Sequence, residues 1–357
     1  MSLNKNFFLG ALTAFLGLLL LSEIFFRVTV ANGFWYRHLD LSGDMTSLAE
    51  VRDRLDYSCP PDHRLLLLGD SVLGASALME HRVPQARSLT LSSLLEKGLG
   101  TSGTHALSLG SDGLLLPDIE GLAAEFQARP PEKIVLLLNF RMFSKEFGEG
   151  SKALSRHFLI SDLPKDIRER LSPEQPPTPE ALLSDKLYEG MCGHWALFRE
   201  TQAAKTLWYY PSQKDFFQRL LERMVGRNEA QADMIEAALK QKIASYYQPY
   251  HWDPKALPFT CLKKILDQWA EDRIPVTVIL TPQNQKFLGS YLDKPSFSWN
   301  RKTLAAFMKP YANRGVAYQD WADLYPPGLF LDHCHLTPEG NQRYAGDLAQ
   351  ILRGGKP

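Results

Sequence analysis

The sequence predicts an α/β fold built on a parallel sheet, and three observations predict it. Short apolar runs of strand length recur along the chain, segments with helical periodicity separate them, and several runs stop at turn-forming residues. An unbroken apolar run is typical of a strand that is buried on both faces of a parallel sheet. We therefore expect right-handed β-α-β units, with the carboxyl ends of the strands along one edge of the sheet.

Five strands and the helices between them follow from these patterns. The predicted strands are Leu65–Leu68, Thr104–Leu109, Lys133–Asn139, Pro275–Leu280 and Val316–Gln319. The predicted helices are Leu89–Lys97, Pro117–Ala128, Cys261–Ala270, Asn300–Tyr311 and Thr337–Leu352. The alternation breaks at about 143–255, where the chain is charged, includes a Pro-rich stretch and has helical patterns near 181–205 and 213–246. We predict a helical insertion there, after the third strand.

The amino terminus predicts a membrane anchor. After Lys5 the chain is apolar from Phe7 to Phe26, with Glu23 as its one charged residue, and about 20 such residues suffice to cross a bilayer as a helix. A cleaved signal peptide is the alternative, with Thr29 and Ala31 as a weak cleavage site. We divide the chain into an anchor at 1–30, a connector at 31–63 and one domain at 64–357. The positive-inside rule places Lys5 in the cytoplasm and this domain outside it.

Charge and cysteine usage exclude several classes of protein. Lys plus Arg and Asp plus Glu both total 40, so the chain lacks the basic excess of a nucleic-acid binder. The four cysteines are scattered and form no C-x-x-C pair, which argues against a disulfide framework and a zinc ribbon. Neighbours such as His333 and Cys334 rarely point at one ion, and structural zinc prefers wider spacings. We predict no metal and no cofactor.

Two short segments carry the chemistry that we expect. Gly69-Asp70-Ser71 follows the first strand directly, where open α/β sheets place their ligands. Asp332 and His335 are three residues apart, just before the last predicted helix. In a turn, that spacing lets the carboxylate hold one ring nitrogen while the other nitrogen faces a nucleophile. A serine hydroxyl needs such an oriented base, because it is a poor nucleophile at neutral pH.

On these two segments the chain resembles the SGNH (GDSL-type) hydrolase superfamily. The resemblance implies a flavodoxin-like three-layer α/β/α fold with Ser71 as the nucleophile, His335 as the general base and then acid, and Asp332 as the residue that orients His335. It also implies an oxyanion hole made of the Ser71 backbone N–H, Gly113 and Asn139.

The asparagine segment departs from the family pattern. Leu138-Asn139-Phe140-Arg141 stands where the family has Gly-x-Asn-Asp, so the role of Asn139 as a donor is open. Asn284, which follows the fourth strand, is a second candidate for that role. Arg141 is a candidate for contact with an anionic group of the substrate.

The resemblance and the anchor together imply a function. A single amino-terminal anchor followed by an SGNH-like domain resembles bacterial accessory proteins that add or remove O-acyl groups, often acetyl, on cell-surface polysaccharides. Some of these work beside a multi-spanning membrane acyltransferase. The expected location is the inner membrane, with a single span and a periplasmic domain. A lipid or small-ester esterase and a noncatalytic glycan-binding scaffold remain as alternatives.

Overall fold

The computed structural model of the chain describes residues 5–32, 48–57, 63–99, 104–110, 113–144, 187, 190–191, 193–199, 246–247 and 249–355. Its centre is a five-stranded parallel sheet in the order β2-β1-β3-β4-β5. The strands are β1 (Arg64–Gly69), β2 (His105–Gly110), β3 (Lys133–Leu138), β4 (Val276–Leu280) and β5 (Val316–Asp320). This is the flavodoxin-like strand order, and the predicted α/β fold is confirmed.

The helices are numbered here in chain order. They are α1 (Lys5–Ala31), α2 (Leu48–Tyr57), α3 (Ser76–Glu80), α4 (Leu91–Leu99), α5 (Leu116–Ala128), α6 (Ala196–Arg199), α7 (Leu257–Glu271), α8 (Gln285–Leu288), α9 (Lys294–Met308) and α10 (Pro338–Leu352). Short 3-10 turns follow two of the strand ends, at Ser71–Leu73 and Phe140–Phe143.

The sheet divides the core into two apolar layers. Along β1, Leu66 and Leu68 pack with residues of α2, α5, α7 and α9 on one face. Leu65 and Leu67 point to the other face and pack with residues of α4 and α10. The alternation follows from the two-residue period of a strand, and covering both faces gives the three layers that the family resemblance implies.

Part of the predicted connector belongs to the core. Helix α2 lies within residues 31–63, yet Val51 and Leu55 are fully buried among the side chains of α5 and β1. The buried guanidinium of Arg64 donates a hydrogen bond to the carbonyl of Leu55, which ties α2 to the start of β1. The prediction of a polar connector is therefore wrong for these residues, whereas 33–47 and 58–62 lie outside the described residues.

The amino-terminal helix has the length and composition of a membrane span. An 18-residue window within Leu9–Ala31 has a mean hydropathy of 2.1, and most of the described side chains between Leu9 and Val28 are exposed. About 20 residues are enough to span the hydrocarbon core.

The helical patterns of the predicted insertion, near 181–205 and 213–246, lie mainly outside the described residues.

Candidate active site

Ser71 stands on a turn that the end of the sheet holds in place. The Asp70 carboxylate accepts a hydrogen bond of 3.3 Å from the backbone N–H of Val72, which fixes the start of the turn. Leu73 packs over the ends of β1 and β2, where a Cβ added to Gly69 or to Gly110 would come within 3.2 Å of it. Glycine at both strand ends therefore makes room for Leu73, and Leu73 holds the turn that carries Ser71.

Three side chains form a hydrogen-bonded line at the carboxyl edge of the sheet. Ser71 Oγ lies 2.9 Å from Nε2 of His335, and Nδ1 of the same ring lies 2.7 Å from Oδ2 of Asp332. A proton on Nδ1 bonds to the carboxylate, and Nε2 then accepts from the serine hydroxyl. The structure thus brings together the three residues that the sequence analysis predicts.

The loop of Asp332 and His335 is held by backbone bonds on both sides. The N–H of Leu331 donates to the carbonyl of His335 at 2.8 Å, which closes the loop. Helix α10 begins directly after it, and the Thr337 side chain caps the helix by accepting from the N–H of Gly340 at 3.1 Å. A Cβ at Gly340 would lie 2.4 Å from the carbonyl oxygen of Leu329, so this close approach requires glycine.

Asn284 clamps the same loop from the end of β4. Its Nδ2 donates to the carbonyl of Asp332 at 2.9 Å, and its backbone N–H donates to the carbonyl of His333 at 2.8 Å. The side-chain oxygen accepts from the N–H of Phe287. The side-chain oxygen and one hydrogen of the amide nitrogen are therefore engaged in bonds that hold the loop, and the alternative role of Asn284 as an oxyanion donor stays a prediction.

The charges of the loop favour an ionised carboxylate beside the histidine. Burial disfavours the Asp332 carboxylate, but the hydrogen bond and charge of His335 outweigh it and hold the pKa of Asp332 well below its ordinary value. Burial likewise disfavours the imidazolium of His335. Negative charge on Cys334 and the hydrogen bond to Asp332 outweigh that effect, so the pKa of His335 lies well above its ordinary value.

Cys334 is a second ionisable group in the loop that the sequence analysis considered only as a metal ligand. Its Sγ lies 3.4 Å from Nε2 of His333 and 3.8 Å from Nδ1 of His335. Burial would raise the pKa of this thiol, but the two histidines lower it to about 7. The thiol therefore lies against the ring that faces Ser71.

Asn139 lies at the end of β3 with its side chain buried. Its Oδ1 accepts from the N–H of Arg141 at 3.2 Å and so caps the turn Phe140–Phe143. With the oxygen held there, the Nδ2 end of the amide points away from the N–H of Arg141. Gly113 follows β2 with a positive φ of 86°, a conformation that favours glycine. Ser71, Gly113 and Asn139 thus follow the adjacent strands β1, β2 and β3.

Arg141 is held by a buried carboxylate of the protein itself. Its guanidinium donates to Oδ2 of Asp70 at 3.1 Å, and the Asp70 side chain is almost fully buried. The pair links the turn after β1 to the turn after β3. The structure therefore gives Arg141 a partner within the protein, Asp70. The contact with an anionic group of the substrate that the sequence analysis suggested stays a prediction.

The structure also brings potential metal ligands close together. Ligand atoms of Asp332, His333 and Cys334 all lie within 4.8 Å of one another, closer than adjacent residues were expected to allow. The Asp332 carboxylate already accepts from the backbone N–H groups of Cys334 and His335 and from the His335 ring. A metal ion at this position would compete with those bonds.

Comparison with known proteins leaves the family of the chain open. A protein-family model matches residues 207–353, less than half of the chain, and no curated protein matches the sequence. Among solved structures, the salicylyl-acyltransferase SsfX3 from a tetracycline biosynthetic pathway covers 82% of this chain at 11% identity with a TM-score of 0.36. The chain spans 55% of the length of that protein.

A second similar structure is a carbohydrate acetylesterase family member from Sinorhizobium meliloti. It matches at 11% identity with a TM-score of 0.35, and the match covers 82% of this chain and 97% of that one. Likeness at this level transfers neither activity nor substrate. The site is therefore defined by its own geometry. A serine, a histidine and an aspartate lie in line at the carboxyl edge of the sheet of an α/β protein.

Proposed function

We propose that this protein is a membrane-anchored, SGNH-type serine enzyme that transfers or hydrolyses O-acyl groups, acetyl foremost, on an exported polysaccharide. The observation that carries the proposal is the line from Ser71 Oγ to His335 Nε2 at 2.9 Å and from Nδ1 to Asp332 Oδ2 at 2.7 Å. A serine held this way meets the geometric requirement for nucleophilic catalysis, with a base in reach and a third group that orients it.

The first half of the reaction forms an acyl-serine. Ser71 Oγ attacks the acyl carbonyl carbon while its proton passes to Nε2 of His335, and Asp332 stabilises the imidazolium that results. The carbonyl oxygen becomes negatively charged, and the donors that we propose for it are the backbone N–H groups of Ser71 and Gly113 and Nδ2 of Asn139. When the intermediate collapses, His335 returns the proton to the departing alcohol oxygen.

The second half discharges the acyl group. Either water or a sugar hydroxyl attacks the acyl-serine, His335 accepts the proton of the attacking oxygen, and Ser71 leaves as a hydroxyl. Hydrolysis and transfer share this intermediate, and exclusion of water relative to the acceptor decides between them. The same residues serve both outcomes.

The substrate and location rest on the family resemblance and on α1. A span at 1–30 would hold the domain at 64–357 on the periplasmic face of the inner membrane, where exported polysaccharide is accessible. A multi-spanning membrane acyltransferase is the partner that would supply acyl groups across the bilayer. The exposed apolar surface of α1 supports the anchor.

The test uses the full chain in detergent and an O-acetylated polysaccharide. Acetate release is measured with and without an unacetylated acceptor sugar, together with labelling by a fluorophosphonate probe. Wild-type protein is expected to release or transfer acetate and to label, and Ser71→Ala is expected to do neither. Ser88→Ala removes a half-buried serine whose hydroxyl donates to the nearby Gln85 carbonyl and is expected to behave as wild type.

Two results would contradict the proposal. Acetate release by Ser71→Ala at the wild-type rate would exclude Ser71 as the nucleophile. A wild-type protein that is folded yet neither labels nor turns over any O-acylated substrate would favour the noncatalytic scaffold.

A further inference from the structure

The charged residue within α1 has its partner on a distant part of the chain. Glu23 is only 8% exposed, and its two carboxylate oxygens accept from the backbone N–H groups of Ala196 and Leu197 at 3.0 and 2.9 Å. Arg27 donates to Glu23 at 2.6 Å and to the carbonyl of His194. A carboxylate in an apolar helix is costly unless it is paired, so these bonds dock residues 194–197 onto α1.

The position of Glu23 along α1 sets the depth of this contact. At a rise of 1.5 Å per residue, about 20 residues cross a hydrocarbon core of about 30 Å. Counting from Asn6, the residue after Lys5, the far boundary falls near Phe25, so Glu23 lies roughly 3 Å inside it and Arg27 lies just beyond. Residues 194–197 are therefore level with the lipid–water interface on the side of the folded domain.

The segment that leads into the contact exposes large apolar side chains at helical spacing. Leu187, Met191 and Trp195 are 60%, 40% and 43% exposed. The residues described at 187, 190–191 and 193–194 are helical, and the N–H of Trp195 donates to the carbonyl of Met191 at 2.8 Å. Residues four apart lie on one face of a helix, so these three form one apolar face, and Trp195 at its end lies within the segment 194–197 that docks onto α1.

We propose that Leu187, Met191 and Trp195 form a lipid-contacting face that lies in the headgroup region of the bilayer beside α1. Tryptophan is favoured at this depth because its ring is amphipathic, and exposed apolar surface of this kind marks an interaction site. The bilayer is the occupant because the face ends in residues that dock onto α1 at the depth of the lipid–water interface. The domain is then held against the membrane at two points. This inference does not rest on the acyl chemistry.

The experiment measures whether Trp195 reaches the lipid. The full chain is reconstituted into vesicles of phosphatidylcholine and phosphatidylglycerol, with or without bromine on the upper acyl carbons, and bromine quenching of tryptophan fluorescence is recorded. The chain has seven tryptophans, so Trp195→Phe isolates the contribution of this one. This variant is expected to lower the fraction of tryptophan fluorescence that bromine quenches. Trp299→Phe removes a tryptophan that is 54% exposed on α9 and is the matched control, with quenching unchanged.

A second variant tests the docking. Glu23→Ala removes both acceptors for the 196–197 backbone and makes α1 more apolar, so the protein is expected to stay with the vesicles while quenching from Trp195 falls. Equal quenching in wild type, Trp195→Phe and Trp299→Phe would overturn the proposal, as would a wild-type chain that does not sediment with vesicles. Ser71→Ala should quench as wild type does, which separates this result from the fate of the proposed function.

Discussion

Replacing Asp332 with asparagine tests the proposed mechanism most directly. Oδ1 of Asp332 accepts from the N–H groups of Cys334 and His335 at 2.9 and 2.8 Å, whereas Oδ2 faces Nδ1 of His335 at 2.7 Å. In Asp332→Asn only one oxygen remains. Two fixed backbone donors require it on the Oδ1 side, so the amide NH₂ must face Nδ1.

That orientation reverses the tautomer of His335. An NH₂ group donates, so it stabilises a ring with a bare Nδ1 and a proton on Nε2. Nε2 then cannot accept the proton of Ser71. Loss of the correct tautomer typically costs about 10⁴-fold in kcat, equivalent to about 5.5 kcal/mol of transition-state stabilisation. Folding should change little, because the shape and the two backbone bonds are kept.

The assay is kcat/KM for a chromogenic acetate ester, with the thermal midpoint measured in parallel. Asp267→Asn is the matched control, since this aspartate pairs with Lys263 and Arg314 on the surface, and exposed pairs contribute little. It should retain wild-type activity. An Asp332→Asn protein with activity within tenfold of wild type would refute the role given to Asp332.

Three further predictions concern the residues around Ser71, His335 and Asp332. Asn139→Ala is expected to lower kcat by about 100- to 1000-fold through loss of an oxyanion donor; a fall of less than tenfold would assign that role elsewhere. Arg141→Met is expected to lower the free energy of unfolding by about 3 kcal/mol in denaturant titration, because it leaves the buried Asp70 carboxylate unpaired. Partial recovery in the double variant with Asp70→Asn would support this reason, and a single variant as stable as wild type would contradict it. His335 must be neutral to accept a proton, and its pKa is raised above its ordinary 6.5, so kcat/KM should fall as the pH decreases through a value above 6.5. Cys334→Ser removes the negative charge beside the ring, so the fall in kcat/KM should occur at lower pH. An unchanged pH profile would exclude the thiol as a cause of the raised pKa of His335.

The strands could be predicted because burial on both faces leaves a local signature. Leu65–Leu68 is apolar throughout, and both its inner and outer side chains are buried in the structure. The helix predicted at Asn300–Tyr311 instead begins at Lys294, where Asp293 caps it and Pro295 occupies its first turn. Those start signals are present in the sequence and were overlooked. Helix α2 was also overlooked, although Leu48, Val51 and Leu55 recur at helical spacing.

The line of Ser71, His335 and Asp332 was accessible from the sequence because each half is local. Asp332 and His335 are three residues apart, and Ser71 ends a strand whose neighbours place it at the sheet edge. The supporting contacts have no such signature. Asn284 clamps a residue 48 positions away, and Arg141 pairs with one 71 positions away. Nothing in the spacing of these residues indicates that they meet, because folding of the sheet alone brings them together.

The two halves of the site are anchored independently, and this bears on how it works. Leu73 and the Asp70–Arg141 pair fix the serine to β1 and β3, whereas Asn284 and the cap of α10 fix the histidine loop to β4 and α10. The contact of 2.9 Å between Ser71 and His335 is therefore set by the packing of the sheet. Each anchor lies outside the reacting atoms, yet a displacement of about 1 Å can cost on the order of 100-fold in rate. Much of the activity proposed here accordingly depends on residues outside the line of Ser71, His335 and Asp332.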